Sequence, residues 1–205
     1  MIAQNWKCSE CGFISVGVFP PEKCPKCDSG RECFQREHGY AFPEEEINDI
    51  ISACWKISYG LYVVSSIDGG KINGQICNTL FQITSDPPRF AIGINRGNLT
   101  HEFIEKSGVF AASILGKNDH RIVRRFGYRS GREFDKFKGI SVIEGRTGCP
   151  IYADAVGYIE CGVIKDKTVN AGTHDIFVAD VLGGKMLKDE EPLTYDHYTK
   201  TKNDQ

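Results

Sequence analysis

Leu61-Tyr-Val-Val-Ser-Ser-Ile67-Asp-Gly-Gly70-Lys-Ile-Asn73-Gly-Gln-Ile-Cys-Asn-Thr79 fixes the expected architecture of this 205-residue chain. Leu61 to Ile67 is apolar and β-branched, Asp68-Gly69-Gly70 has the composition of a hairpin turn, and a second strand-like run follows. Residues 72–84 and 89–95 read as further strands, interrupted by Asp86-Pro87-Pro88. Residues 98–105 read as a short helix with Asn98 as its capping residue and Gly108 as its stop. Downstream, 109–115, 155–164 and 173–181 read as strands, and 118–126 as a helix. Upstream, Pro43 before Glu44, Glu45 and Glu46 is a helix start, with acids at the positive dipole end. Ile47, Ile50, Ile51, Cys54 and Ile57 carry that amphipathic pattern on, predicting a helix over 44–58. Many short strands with few helices predict a β-barrel.

The first 33 residues are different. Cys8, Cys11, Cys24, Cys27 and Cys33 crowd there, whereas Cys54, Cys77, Cys149 and Cys161 are scattered. Cys8-Ser-Glu-Cys11 and Cys24-Pro-Lys-Cys27 are two C-x-x-C pairs, and two such knuckles facing each other make a tetrahedral thiolate site. A module this poor in apolar residues needs a staple, and a metal supplies one. Tetrahedral sulfur suits zinc, which would be structural, and iron, which would carry single electrons. Cys33 falls outside the spacing and reads as a packed side chain rather than a fifth ligand. The chain therefore divides into residues 1–36, a linker over 37–45, and a second domain over 46–205.

Composition narrows the function. Charged residues are 25% of the chain and the net charge is −2, so no basic excess points to nucleic acid. Apolar runs such as Val109 to Leu115 are too short to span a bilayer, and Met1 to Trp6 lacks the features of a signal peptide. Nine cysteines without a secretion signal suit a reducing, cytoplasmic setting and metal or redox chemistry.

Two resemblances sharpen these readings. Trp6-Lys-Cys8-Ser-Glu-Cys11-Gly-Phe13, Pro20-Pro-Glu-Lys-Cys24-Pro-Lys-Cys27 and Phe34 resemble the rubredoxin-like module of rubrerythrins. The resemblance implies one iron held by Cys8, Cys11, Cys24 and Cys27, with Trp6, Phe13 and Phe34 as an apolar shell. Asp28 departs from it, standing where the family usually has glycine. Gly60 to Ser66, Asn73 to Thr79, Ser85-Asp-Pro-Pro88, Asn98-Leu-Thr-His101 and Gly172-Thr-His174 resemble the FMN-binding split barrel of the flavin reductase family. The likeness extends to the flavin domain of high-molecular-weight rubredoxins, in which the rubredoxin follows the flavin domain rather than preceding it. The fold expected is thus mostly β: a rubredoxin-like metal-knuckle module plus a split β-barrel with a few helices.

By that resemblance Asn73, Gly74, Gln75, Ile76, Asn78 and Thr79 form a flavin loop whose backbone can approach a ring closely. Asn98, Thr100 and His101 sit at a predicted helix N-terminus, where free amides favour the FMN phosphate, helped by Arg96. His174 is the catalytic candidate, on the nicotinamide side. Cys77 reads as a packed side chain, and Arg121, Arg124, Arg125, Arg129 and Arg132 as a solvated face or as an anion site. No Gly-x-Gly-x-x-Gly fingerprint occurs, so NAD(P)H would stack on the flavin without a Rossmann domain. The function implied is electron transfer from NAD(P)H through FMN to a four-cysteine iron, and on to a flavodiiron protein or rubrerythrin, by a homodimer. Two alternatives stay open: a ferric or free-flavin reductase, and a non-catalytic flavin-binding protein with a structural zinc ribbon.

Overall fold

The computed structural model describes residues 4–40 and 44–203. The chain separates into two compact units, Met1–Ile57 and Ser58–Gln205, each considered by itself.

In the first unit, β1 (Gln4–Cys8) is the centre of a three-stranded antiparallel sheet, between β2 (Ile14–Gly17) and β3 (Phe34–Tyr40). β3 runs through residues 37–40, which the sequence reads as linker; Glu37 pairs with Asn5 and Tyr40 with Gln4. This pairing uses β1 backbone groups that β2 leaves free on the other side, a demand that composition does not reveal. Helix α1 (Glu44–Cys54) follows and ends before residue 58, in turns at Ala53 and Cys54. Cys8, Cys24 and Phe34 are buried, with Trp6, Phe13, Cys11 and Cys33 packed against them. The expected aromatic shell is therefore present, and Cys33 joins it as a packed side chain. Trp6 also satisfies its indole N–H on the Gly17 carbonyl at 3.0 Å.

The second unit begins with β4 (Tyr62–Asp68), β5 (Lys71–Cys77), β6 (Leu80–Ser85) and β7 (Pro88–Asn95). Helix α2 (Leu99–Ser107), β8 (Val109–Ile114), helix α3 (His120–Gly127), β9 (Val142–Glu144) and β10 (Pro150–Tyr152) come next. It closes with β11 (Gly157–Val163), β12 (Val169–Asn170), β13 (His174–Met186) and helix α4 (Tyr195–Thr201). Seven strands form one antiparallel path in the order β5-β4-β8-β11-β13-β7-β6, with β12 added on β13 and β9–β10 as a separate hairpin. The β4–β5 hairpin turns at Gly69 and Gly70, whose φ values of 55° and 82° only glycine adopts without strain.

Every strand of the path sends a side chain into one cluster: Cys77, Val64, Phe110, Cys161, Phe177, Ile92 and Leu80, in path order. Ile104 from α2 plugs it. A single sheet whose inward faces all meet is a barrel, so the expected architecture is present. The other face of β4, at Val63, packs with Ile122, Val123 and Phe126 of α3 and Tyr198 of α4. Successive residues of β4 are thus buried on opposite sides, and their burial pattern is continuous rather than alternating. Within the expected strand 72–84 the structure has a break at Asn78-Thr79, because β5 and β6 lie at opposite ends of the path and the chain must step between them.

Candidate functional site

The four cysteine sulfurs of the first unit lie within 4.8 Å of one another. Cys8 Sγ is 3.7 Å from Cys27 Sγ, and Cys11 Sγ is 3.6 Å from Cys24 Sγ. A tetrahedron with metal–sulfur bonds of about 2.3 Å has edges of about 3.8 Å, so the cage fits such an ion. The two knuckles are built alike. Gly12 donates its amide to the Cys8 carbonyl at 2.9 Å, and Asp28 donates to the Cys24 carbonyl at 2.8 Å. The residue after each second cysteine is left-handed: Gly12 has φ 71° and Asp28 has φ 59°. Asp28 thus holds a glycine's conformation, which explains why its position stood out in the sequence.

The thiols alone are poorly matched to one another. The Phe13 amide pulls the Cys11 thiol down, but burial and the three neighbouring sulfurs together push it up to about 12. The Ser29 hydroxyl and amide draw Cys27 down to about 6. Crowded sulfurs that resist joint ionisation are stabilised by a cation at their centre.

In the second unit, residues predicted from the sequence meet at a cleft of ≈ 180 Å³. Asn73, Gln75 and Ile76 reach it from β5, Asn98 and Thr100 from the start of α2, Phe126 and Gly127 from the end of α3, and Arg129 to Arg132 from the loop beyond. The buried Asn73 amide donates to Thr100 Oγ1 at 2.8 Å. Asn98 stands at the N-cap position of α2, but its side chain does not cap; it donates across the cleft to Gln75 Oε1 at 3.0 Å. The loop closes tightly on this wall, since a Cβ at Gly131 would meet Asn73 Oδ1 at 2.0 Å.

Gly74 also has a packing duty. A Cβ there would meet the rings of Phe137 at 3.1 Å and Phe126 at 3.3 Å, so aromatic packing needs this glycine. Its carbonyl accepts from the buried Lys136 ammonium at 3.0 Å, and the same nitrogen donates to the Phe126 carbonyl at 2.9 Å. Lys136 therefore clamps β5 to α3 beneath the cleft, and burial lowers its ammonium to about 8. Arg132 pairs with Glu102 of α2, which holds that carboxyl below its usual range.

The remaining predicted residues lie outside this cleft. His101 is buried against Asp175, with Nε2 2.7 Å from Oδ2, and its ring packs on Phe177 at 5.2 Å. Arg96 reaches the same carboxylate at 3.6 Å. Asp175 Oδ1 is buried with no hydrogen-bond partner among the described residues. His174 is exposed beside this cluster, with Nδ1 2.9 Å from the Thr173 hydroxyl. Thr79 donates to the Gly93 carbonyl at 2.7 Å, and Asn78 precedes it at the step between β5 and β6. Lys136, Asp175 and the loop from Ser130 to Arg132 were not singled out in these roles by sequence reasoning. Asp175 carried no distinguishing signal, since Asp180 and Lys185 stand in the same strand.

The cleft is smaller than the roughly 300–1,000 Å³ of sites that enclose a whole cofactor. Its amides, hydroxyl and arginines at the start of a helix suit a phosphate and the polar chain that carries it.

The profile of the flavin reductase like domain matches residues 55–202. The chain belongs to the flavin reductase family. A rubredoxin-like domain of the rubrerythrin type matches residues 6–35, so the family's barrel here shares a chain with a four-cysteine module. The chain is 43% identical over 148 residues to the high molecular weight rubredoxin of Moorella thermoacetica, covering 71% of this chain and 64% of that protein. It is also 43% identical over 150 residues to the ferric-chelate reductase (NAD(P)H) of Archaeoglobus fulgidus, covering 72% and 88%. Among solved structures, flavin reductase HpaC complexed with NADP+ superposes with a TM-score of 0.63 at 27% identity, covering 73% of this chain and 92% of that one. Barrel, cysteine cage and relatives together support a flavin, a metal and flavin-based electron transfer. Among the described residues no helix is long and apolar enough to cross a membrane.

Proposed function

We propose that the protein is an oxidoreductase that takes electrons from NAD(P)H at FMN and delivers them through an iron held by Cys8, Cys11, Cys24 and Cys27 to a partner protein. The observation that carries this reading is the coexistence on one chain of a flavin reductase barrel and a four-sulfur cage of tetrahedral dimensions. When bound, the flavin accepts a hydride as an electron pair and the iron takes electrons one at a time. The chain's own residues do the rest. Asn73 and Thr100 fix each other and present polar atoms to the phosphate, while Asn98 and Gln75 hold the mouth of the cleft. Arg129 and Arg132 contribute positive charge from the opposite wall. His174, exposed at the start of β13, is the residue proposed to face the nicotinamide. The homodimer follows the family resemblance, and the exposed Phe81 and Ile83 on the edge strand β6 are apolar side chains that a second copy would cover. A flavodiiron protein or rubrerythrin is the proposed acceptor, and the cytoplasm the proposed site of action.

The identity to a ferric-chelate reductase favours a second reading, in which ferric complexes take electrons from the flavin directly. Metal content and colour separate the two. Protein prepared with iron should hold one equivalent per chain and show a red thiolate-to-iron absorption that NAD(P)H bleaches. Ferric-chelate reduction that is unchanged in the Cys24→Ser variant, with no bleaching in the parent, would favour the second.

A further inference from the structure

A second and larger cleft, of ≈ 530 Å³, lies along α3 and is lined by Arg121, Arg124, Arg125 and Arg129 together with Ile122, Ile140 and Tyr152. Asn118 and Asp119 complete it, so its charged lining is four guanidiniums against one carboxylate. That carboxylate is already engaged: Asp119 accepts from the Gly116 amide at 2.8 Å and the Tyr152 hydroxyl at 3.3 Å. Two of the arginines are held in place. Arg125 donates to the Lys136 carbonyl at 2.6 Å and to the Lys138 carbonyl, and the Arg129 guanidinium lies 4.4 Å over the Phe134 ring. Fixed guanidiniums lose little freedom when they grip an anion, and their planar forks match phosphate oxygens. The apolar side, Ile122, Ile140 and Tyr152, offers a surface for a flat ring. Arg129 also lines the smaller cleft, so the two sites adjoin. A concave site of this volume suits a small molecule rather than a protein face.

We infer that the arginine cleft binds the adenosine 5′-diphosphate part of a dinucleotide, its phosphates on the guanidiniums and its base against Ile122, Ile140 and Tyr152. The inference rests on the proposed flavin reductase reading of the adjoining cleft. The same moiety occurs in a nicotinamide dinucleotide and in FAD.

The test titrates 5′-ADP calorimetrically into the full-length, flavin-loaded protein and into its Arg121→Glu variant, with flavin content measured on each sample. Arg121 is exposed and makes no ion pair or hydrogen bond among the described residues, so its reversal leaves the fold intact. Saturable binding is expected, weakened tenfold to a hundredfold in the variant, about the range for losing a charge-assisted contact. Raising salt should weaken binding to the parent. Displacement of ADP by NADH or NADPH, with no effect of FAD, assigns the cleft to the nicotinamide donor; displacement by FAD alone assigns it to the flavin. Either supports the inference. Absence of saturable binding, or equal binding by both proteins, overturns it. If instead ADP binds as expected but neither dinucleotide reduces the flavin, the proposed function fails while the nucleotide site stands.

Discussion

Replacing Lys136 by Met tests the clamp beneath the flavin cleft. The two side chains are similar in length, so the change removes a charge and two hydrogen bonds without opening a large cavity. Lys136 is 6% exposed, and burial moves its ammonium from 10.5 to about 8. At about 1.4 kcal/mol per pH unit, keeping that ammonium charged costs the folded state about 3 kcal/mol. Below pH 8 both folded and unfolded chains are protonated at this site and the full cost is present. Between about pH 8 and 10.5 the unfolded chain binds more protons, so this group's contribution to stability rises with pH. In Lys136→Met that rise is absent. Against it, the variant leaves the buried carbonyls of Gly74 and Phe126 without their donor, at about 1–3 kcal/mol each. Near pH 7.5 the two effects largely offset, and the variant should lie within about 3 kcal/mol of the parent. By pH 10.5 the parent should have gained up to about 3 kcal/mol on the variant. Urea unfolding of both proteins at pH 7.5, 9 and 10.5, followed by far-ultraviolet circular dichroism and flavin release, measures the gap. A gap that stays constant within about 0.5 kcal/mol would refute a lowered Lys136 and the clamp argument with it.

Three further outcomes are expected. Cys24→Ser removes a buried ligand of the cage, and metal analysis should show loss of the ion with disordering of the first unit, while flavin stays bound; a full equivalent of metal would show the ligand set to be wrong. Asp28→Gly should stabilise the metal-loaded module by about 1 kcal/mol, since it relieves a left-handed aspartate and its partner Lys23 is a solvent-exposed pair of little worth; thermal melts of the isolated substitution decide it. Thr100→Ala with Asn98→Ala strands the buried Asn73 amide and should weaken flavin binding by about tenfold or more, read by equilibrium dialysis.

Much of this molecule was legible where local chemistry decides. The knuckles needed only their spacing, and Asp68-Gly69-Gly70 and Gly108 are turn and cap residues whose left-handed glycines are where the sequence put them. The break inside 72–84 was hidden because Asn78-Thr79 lacks a glycine or proline, and the step between the two end strands of the path rather than a turn residue imposes it. The β9–β10 hairpin was missed, since its strands are three residues each and carry no period. Half of the site was readable because Asn73 to Ile76 and Asn98 to Thr100 are short motifs. Its other wall comes from Ser130 to Lys136, a charged loop with no periodicity. The His101–Asp175 pair joins residues 74 apart, a contact that only the strand order creates. His101 and Arg96, read as phosphate ligands, both reach that buried carboxylate.

The claim that flavin and iron act in series is tested most directly by stopped-flow absorbance, with NADH or NADPH mixed against iron-loaded protein and against the same protein stripped of flavin. A mononuclear iron cannot accept a hydride, so every electron from the nicotinamide must enter through the flavin. In the loaded protein the flavin band should fall first and the iron band after it; in the stripped protein the iron band should persist. Iron bleaching at the parent rate without flavin would contradict the account, as would complete flavin reduction with the iron still oxidised.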